Sequence, residues 1–239
     1  NIYGNNITQE NVIRNQLLID EGDEFNSILA SKSINNIQAL NIFKTVDSKI
    51  IDNTDNSKII DITIEEKATG EIMAGAGLGT DGNTLSFAVK ENNYLGRGIG
   101  LTSELTISDE TIKGLFNVNN PNFRNSDKSI NLNVQSLETD KLTDSGYKTN
   151  KTGFGFGTNF EYQDDVFIGL GQDSYYEKIE TNSSASTRQK SQAGNYWDTF
   201  LNLDLNYDKR NQKFRPTDGF RSSYSVNLPI ISENNSLMN

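Results

Sequence analysis

The sequence contains no cysteine and no histidine. Without cysteine there is no disulfide framework and no thiolate metal site. Without histidine the usual general base and the usual zinc ligand are both missing. No catalytic set, no metal site and no cofactor is expected. Long apolar runs are also absent: no stretch of about 18 apolar residues exists, so no transmembrane helix is encoded. Strands that alternate average to low hydropathy, so this leaves a membrane barrel open. Positive charge is in deficit. The 22 Lys and Arg are outnumbered by 32 Asp and Glu, for a net charge of −10. That argues against a nucleic-acid or anionic-membrane surface binder. Asn1 is not an initiator Met, and Leu237-Met238-Asn239 ends without a terminus-like pattern. The chain is expected to be an internal piece of a longer protein, so a missing signal peptide carries no information on location.

What is present divides near residue 68. Residues 1–67 read as a small β-α-α-β-β unit. Thr8 is placed to N-cap a helix reaching about Ile19, with Val12, Ile13 and Leu17 on one face. Gly22 follows as a stop. Ser27 is expected to cap a second helix whose stripe is Leu29, Ile34, Ile37 and Leu40. Two strands follow, 45–52 and 58–67, the second alternating Ile60, Ile62 and Ile64 with Asp61, Thr63 and Glu65.

From residue 70 the helical period gives way to alternation. Phe87 and Val89, Leu132 and Val134, and Leu201, Leu203 and Leu205 each alternate with small or polar residues. About nine such segments occur, the last being Phe220 to Ile230. Their polar faces carry amides, acids and glycines. Aromatics such as Trp197, Tyr207 and Tyr162 cluster near segment ends. A polar lumen inside an apolar exterior fits a membrane barrel with aromatic girdles. A soluble β-sandwich, as in a binding or adhesin protein, alternates as well and stays as the other reading. Trp197, Leu201, Leu203, Leu205, Tyr224, Val226 and Leu228 are the expected lipid-facing residues. Asp204 and Asp208 share a strand face, which a polar lumen explains better than a catalytic pair.

The connections give a topological check. In an up-and-down barrel, alternate connections share a rim. TDGN at 80–83, SDE at 108–110, and the longer segments 139–150 and 177–194 fall on one rim, expected to be extracellular. NNYLGRG at 92–98, NNPNFRNSD at 119–127, EYQDD at 161–165 and RNQKFRPTDG at 210–219 fall on the other, expected to be periplasmic.

Three of those turns are familiar: ENNYLGRG at 91–98, VNNPNF at 118–123 and FRPTDGFR at 214–221. They resemble the periplasmic turns of the BamA family of Gram-negative outer-membrane assembly factors. Residues 1–68 resemble that family's last POTRA domain, through Gly22, ALNIFKTV at 39–46 and ITIEEK at 62–67. TGEIMAGAGLGT at 69–80 resembles its first barrel strand. The resemblance covers essentially the whole chain. It implies an α+β POTRA domain at 1–68. Residues 69–239 would then be the N-terminal part of an antiparallel transmembrane β-barrel, about nine of about 16 strands.

The resemblance also implies a non-enzymatic function, protein insertion into the outer membrane, with the N-terminal domain in the periplasm. The implied partners are unfolded outer-membrane clients, lipoprotein subunits of an assembly complex and outer-membrane lipid. A related POTRA-barrel transporter, either TamA-like or a two-partner secretion pore, is the alternative. The implied lateral seam is the first strand, with Gly70, Gly75, Ala76, Gly77, Leu78 and Gly79. Its glycines weaken pairing, or else they relieve crowding or bend the sheet. The implied periplasmic turn residues are Asn93, Tyr94, Leu95, Gly96, Pro121, Pro216, Thr217, Asp218 and Gly219. Val46, Asp47 and Lys49 mark a POTRA edge open to β-augmentation, or an ordinary edge with charged gatekeepers. Asp20 and Glu21 mark a lipoprotein docking turn, or a solvated loop. Arg215 and Arg221 flank the PTDG turn, either for lipid phosphates or as solvated charges.

Overall fold

A computed structural model describes residues 1–53, 57–79, 82–211 and 215–233. Thr80 and Asp81 of the first expected turn, Gln212, Lys213 and Phe214 of the last, and 237–239 lie outside the described residues.

The N-terminal domain contains β1 (Ile2–Tyr3), α1 (Glu10–Arg14), α2 (Ser27–Ala39), β2 (Phe43–Asp52) and β3 (Lys58–Glu66). Its sheet has the order β1-β3-β2, with β1 parallel and β2 antiparallel to β3. The Ile62 and Ile64 side of β3 meets both helices, and the core is closed by Val12, Ile13, Ile37, Ile42, Phe43 and Val46. Asp61, Thr63 and Glu65 take the other face, as period two requires.

Two helix boundaries differ from expectation. The first helix has one turn and a half and stops at Arg14. Beyond it the chain turns so that Leu17 packs on the core and the Leu18 amide donates to Ser33 Oγ at 2.8 Å. Thr8 does not cap this helix. Gln9 holds that place without a side-chain bond, while the Thr8 hydroxyl is engaged elsewhere. The second helix is capped by Asn26 and not by Ser27. Asn26 Oδ1 accepts from the amides of Ile28 and Leu29 at 2.9 and 3.3 Å.

The remaining strands are β4 (Gly70–Gly79), β5 (Gly82–Tyr94), β6 (Ile99–Ser108), β7 (Thr111–Asn120), β8 (Ser129–Lys141), β9 (Tyr147–Gln163), β10 (Val166–Thr181), β11 (Gly194–Asp208) and β12 (Arg221–Ser232). They form one nine-stranded sheet in chain order, each strand antiparallel to the next, with β4 and β12 at the edges. The two readings of the alternation therefore separate. A sandwich needs two facing sheets, whereas all nine strands here belong to one open sheet.

Register keeps the two faces apart across the sheet. Leu132, Phe156, Gln172, Leu201 and Leu228 are paired in one rung, and Asn131, Gly157, Gly171, Asn202 and Asn227 in the next. The apolar face is uncovered among the described residues: Leu78 is 89% and Ile72 84% exposed. At the end of β12 the expected phase breaks. A bulge opposite Thr199 and Phe200 skips Ile230, so Ile231 opposes Thr199. Pro229, which has no N–H to donate, sits at that break.

Two loops are shorter than expected, because the strands run on. The segment 139–150 shrinks to 142–146 and the segment 177–194 to 182–193. The latter carries α3 (Thr187–Ser191), closed by a Ser186–Gln189 capping box. Polar cross-strand bonds continue the ladder there. Lys148 Nζ meets Glu138 at 2.7 Å and Asp140 at 3.2 Å, and Asn150 donates to Glu138 at 3.1 Å. Apolar alternation does not register such rungs.

Candidate functional site

Connections alternate between the two ends of the sheet, and the N-terminal domain sits on the end that holds 95–98 and 121–128. Helix α1 is its contact element. The Gln9 amide donates to the Gly96 carbonyl at 2.8 Å. Asn93 Nδ2 donates to Thr8 Oγ1 at 2.9 Å, and the Gly98 amide to Asn93 Oδ1 at 2.7 Å. Asn93 and Thr8 are 7% and 3% exposed, so this pair is sealed from water. One turn along, Asn11 bonds Asn125 at 2.7 Å and Gln16 bonds Asn122 at 3.1 Å.

Gly96 is required twice over. Its φ is +70°, and a Cβ there would lie 2.0 Å from the Ile7 carbonyl oxygen. Gly98, at φ +65°, approaches Val12 in the same way, with a Cβ 2.9 Å from Cγ1.

Glu66 closes the joint from the other side. Its carboxylate accepts from three successive amides: Asn6 at 3.1 Å, Ile7 at 3.0 Å and Thr8 at 2.6 Å. Burial works against its charged form, but the hydrogen bonds from Thr8, Ile7 and Asn6 outweigh that and hold its pKa below the ordinary carboxylate value. Three residues, 67–69, then lead into β4. The Thr69 carbonyl accepts from the Asn92 amide at 3.2 Å, and the Asn93 amide donates to Glu91 at 2.6 Å. The linker is thus held at both ends.

The strand it feeds, β4, is a sheet edge. Register places Gly75, Gly77 and Gly79 opposite the polar-face residues Ser86, Thr84 and Gly82, and Gly70, Ala76 and Leu78 on the apolar side. A methyl at Gly75 or Gly77 would meet nothing within 4 Å among the described residues. The polar-face glycines of β9 differ. A Cβ at Gly153 would strike Tyr175 at 2.3 Å, and one at Gly155 would strike Asp173 Oδ1 at 2.0 Å. Crowding explains the β9 glycines and finds no counterpart at Gly75 and Gly77 within this sheet.

The remaining expected residues fall as follows. Tyr94 and Leu95 open the docking turn, Leu95 with φ +54°. Pro121 directly follows β7. In the last turn Asn211 Oδ1 accepts from the Thr217 and Asp218 amides, and Gly219, at φ +91°, packs against the Lys209 carbonyl. Pro216 belongs to this same turn. Leu201, Leu203 and Leu205 pair with Leu228, Val226 and Tyr224 on the apolar face. Trp197 lies further along that face, tilted against Tyr176. Val46 lies on the β2 edge with its side chain in the core, and its carbonyl accepts from Gln38 Nε2 at 3.5 Å. Asp47 and Lys49 are exposed on β2, which is an edge of its sheet. Glu21 is ion-paired to Arg14 at 3.1 Å. Arg221 donates to Asn206 on the polar face. Asp208 pairs with Arg210, and Asp204 accepts from Ser225. Among the described residues no group of three acidic side chains is placed to hold a metal ion.

Thr8 was read only as a helix cap, and Glu66, Gly98, Asn122 and Asn125 were not singled out by the sequence. The turns they touch were, but their partners across the joint were not.

Known proteins resemble this chain over both parts. The profile of the Omp85 superfamily domain matches residues 93–239, and the POTRA profile, described as a surface antigen variable number repeat, matches 1–67. An outer membrane protein assembly factor BamA from Neorickettsia risticii (strain Illinois) is 23% identical over 222 residues, 92% of this chain and 30% of that protein. The crystal structure of BamA from Haemophilus ducreyi lacking POTRA domains 1–3 superposes with a TM-score of 0.69 at 21% identity, over 98% of this chain and 48% of that one. CdiB from Acinetobacter baumannii gives a TM-score of 0.55 at 11% identity, over 97% and 46%. The chain therefore spans under half the length of the structures it matches and about a third of the curated relative. With a POTRA domain followed by nine strands of an unclosed BamA-like barrel sheet, this chain belongs to the Omp85 superfamily.

Proposed function

We propose that the chain is part of an outer-membrane protein assembly factor, with its POTRA domain in the periplasm and its apolar sheet face in lipid. The observation that carries the proposal is the joint. A three-residue linker, fixed at Glu66 and at Asn92, delivers β4, the glycine-bearing first strand of the sheet, directly beside a docked POTRA domain. A first strand that parts from its closing neighbour in the full-length protein offers backbone donors and acceptors to an incoming strand. Gly75 and Gly77 weaken its pairing by roughly 0.5–1 kcal/mol each relative to alanine. Unfolded barrel clients are the proposed substrates. The exposed β2 edge with Asp47 and Lys49 and the Asp20–Glu21 turn are the proposed POTRA contacts for clients and lipoprotein partners. The work is non-enzymatic.

The lipid placement is supported by spacing. Trp197 and Tyr207 lie ten residues apart on one face of β11. That is about 33 Å along a strand, or about 25 Å across a membrane at a tilt of roughly 40°, the height of an outer-membrane apolar belt.

The test is a cysteine pair between β4 and the final strand of the full-length protein. Oxidation is expected to stop assembly of barrel clients in proteoliposomes, and reduction to restore it. Normal assembly by the locked protein would eliminate the seam. The CdiB chains share the fold, so a POTRA-barrel transporter is the second reading. It predicts export of one dedicated partner and no effect on general barrel assembly.

A further inference from the structure

The apolar face of β8–β11 contains a groove of about 270 Å³, lined by Ile130, Phe156, Thr158, Leu170, Gln172 and Leu201. Most of its wall is hydrocarbon, but Gln172 is a carboxamide. Above it the rungs turn polar while staying on the same face: Ser174 opposite Thr199, then Tyr176 opposite Trp197. These side chains form a continuous track. Gln172 Nε2 donates to Ser174 Oγ at 3.4 Å, Ser174 and Thr199 share a bond of 3.0 Å, and Trp197 Nε1 donates to Thr199 Oγ1 at 3.1 Å. Ser174 and Thr199 are 2% and 5% exposed, so their hydroxyls are satisfied within the track. Gln172 is not: its amide nitrogen carries two protons and, among the described residues, makes only the long contact to Ser174.

Depth makes this unusual. Gln172 lies four residues from Tyr176, about 13 Å along the strand and about 10 Å below the aromatic girdle. A half-satisfied amide at that depth is unfavourable against plain hydrocarbon. An occupant that brings an acceptor to that level removes the penalty. Beyond the girdle, the next rungs carry both signs: Lys148 with Glu138 and Asp140, and Lys178 with Glu180. Mixed charge of this kind complements a zwitterion better than a polyanion.

We propose that the groove and track hold one phospholipid, seated deeper than its neighbours. An acyl chain fills the groove, an ester carbonyl accepts from Gln172 Nε2, and a zwitterionic headgroup lies along the track toward Trp197, beneath the mixed charges. The inference rests on the reading that the apolar face meets lipid.

The test uses full-length protein, stripped of lipid in mild detergent and titrated with palmitoyl-oleoyl-phosphatidylethanolamine under native mass spectrometry. Gln172→Leu replaces the carboxamide with hydrocarbon and makes the surface greasier. Thr158→Phe fills the groove. Each is expected to weaken the first binding event at least about fivefold, with heat-modifiable gel migration unchanged. A merely greasy wall predicts equal or tighter binding by Gln172→Leu, and that result overturns the site. Phosphatidylglycerol is expected to bind more weakly than phosphatidylethanolamine, and equal binding overturns the headgroup assignment. Failure of the underlying reading is separately visible: the wild-type protein would then stay soluble without detergent.

Discussion

Gly96→Ala tests the joint most directly. The residue holds φ +70°, which costs an alanine about 1–2 kcal/mol. The added methyl would sit 2.0 Å from the Ile7 carbonyl oxygen, so the turn and the POTRA loop cannot both stay in place. Separation removes the Gln9–Gly96 and Asn93–Thr8 bonds, worth about 0.5–1.5 kcal/mol each once water replaces them. Together with the strain at Gly96, the docked arrangement is therefore expected to lose about 2–5 kcal/mol, while β8–β10, which make none of these contacts, stay folded. Hydrogen exchange on the full-length protein in detergent reads this residue by residue. The Gln9 and Gly98 amides should lose protection by two orders of magnitude or more, roughly 3 kcal/mol expressed as an opening constant, and amides of β8–β10 should not change. Unchanged protection at Gln9 would refute the argument, since the methyl would then have been accommodated without undocking.

Three further outcomes are expected. Glu66 has a lowered folded pKa, so its contribution is full above its unfolded value of 4.5 and is lost as pH falls through the lower folded value. Protection of the Asn6, Ile7 and Thr8 amides should fall on acidification below pH 4.5, and Glu66→Gln should flatten that dependence. Glycines on the polar face should divide by strand: Gly75→Ala stabilises β4 by roughly 0.5–1 kcal/mol, whereas Gly153→Ala, driven against the Ser174 carbonyl and the Tyr175 ring, destabilises the barrel by about 1–3 kcal/mol in urea titrations. In the POTRA core, Ile37→Ala should cost about 2–5 kcal/mol, read as a lowered denaturation midpoint of that domain.

The two periods in the sequence were legible because each reports burial on one face. Ile60, Ile62 and Ile64 mark the POTRA strand, and Leu201, Leu203 and Leu205 mark a barrel strand, whatever surrounds them. Where stability comes from other sources, the pattern is silent. The far ends of β8 and β9 are held by Lys148, Glu138 and Asn150, which look like loop residues to a hydropathy reading. Helix α1 stops early because Leu17 has a tertiary place to go, which no local propensity encodes. The joint was the least legible part. Thr8 and Asn93 meet across 85 residues, and each alone reads as an ordinary capping or turn residue. The glycines of NNYLGRG did signal a special backbone, but not that another domain presses against it.

The chain-order sheet has a consequence for how such a protein comes to exist. Every strand from β4 to β12 pairs with its sequence neighbour, so the wall can grow hairpin by hairpin from local contacts. The first strand laid down keeps one side bare until the last arrives. A newly made copy must therefore wait, with an unpaired edge, in the very condition proposed for a mature copy receiving a client. On the proposed reading, the weak pairing at Gly75 and Gly77 that lets β4 open also makes its closure the least favourable step in finishing the wall.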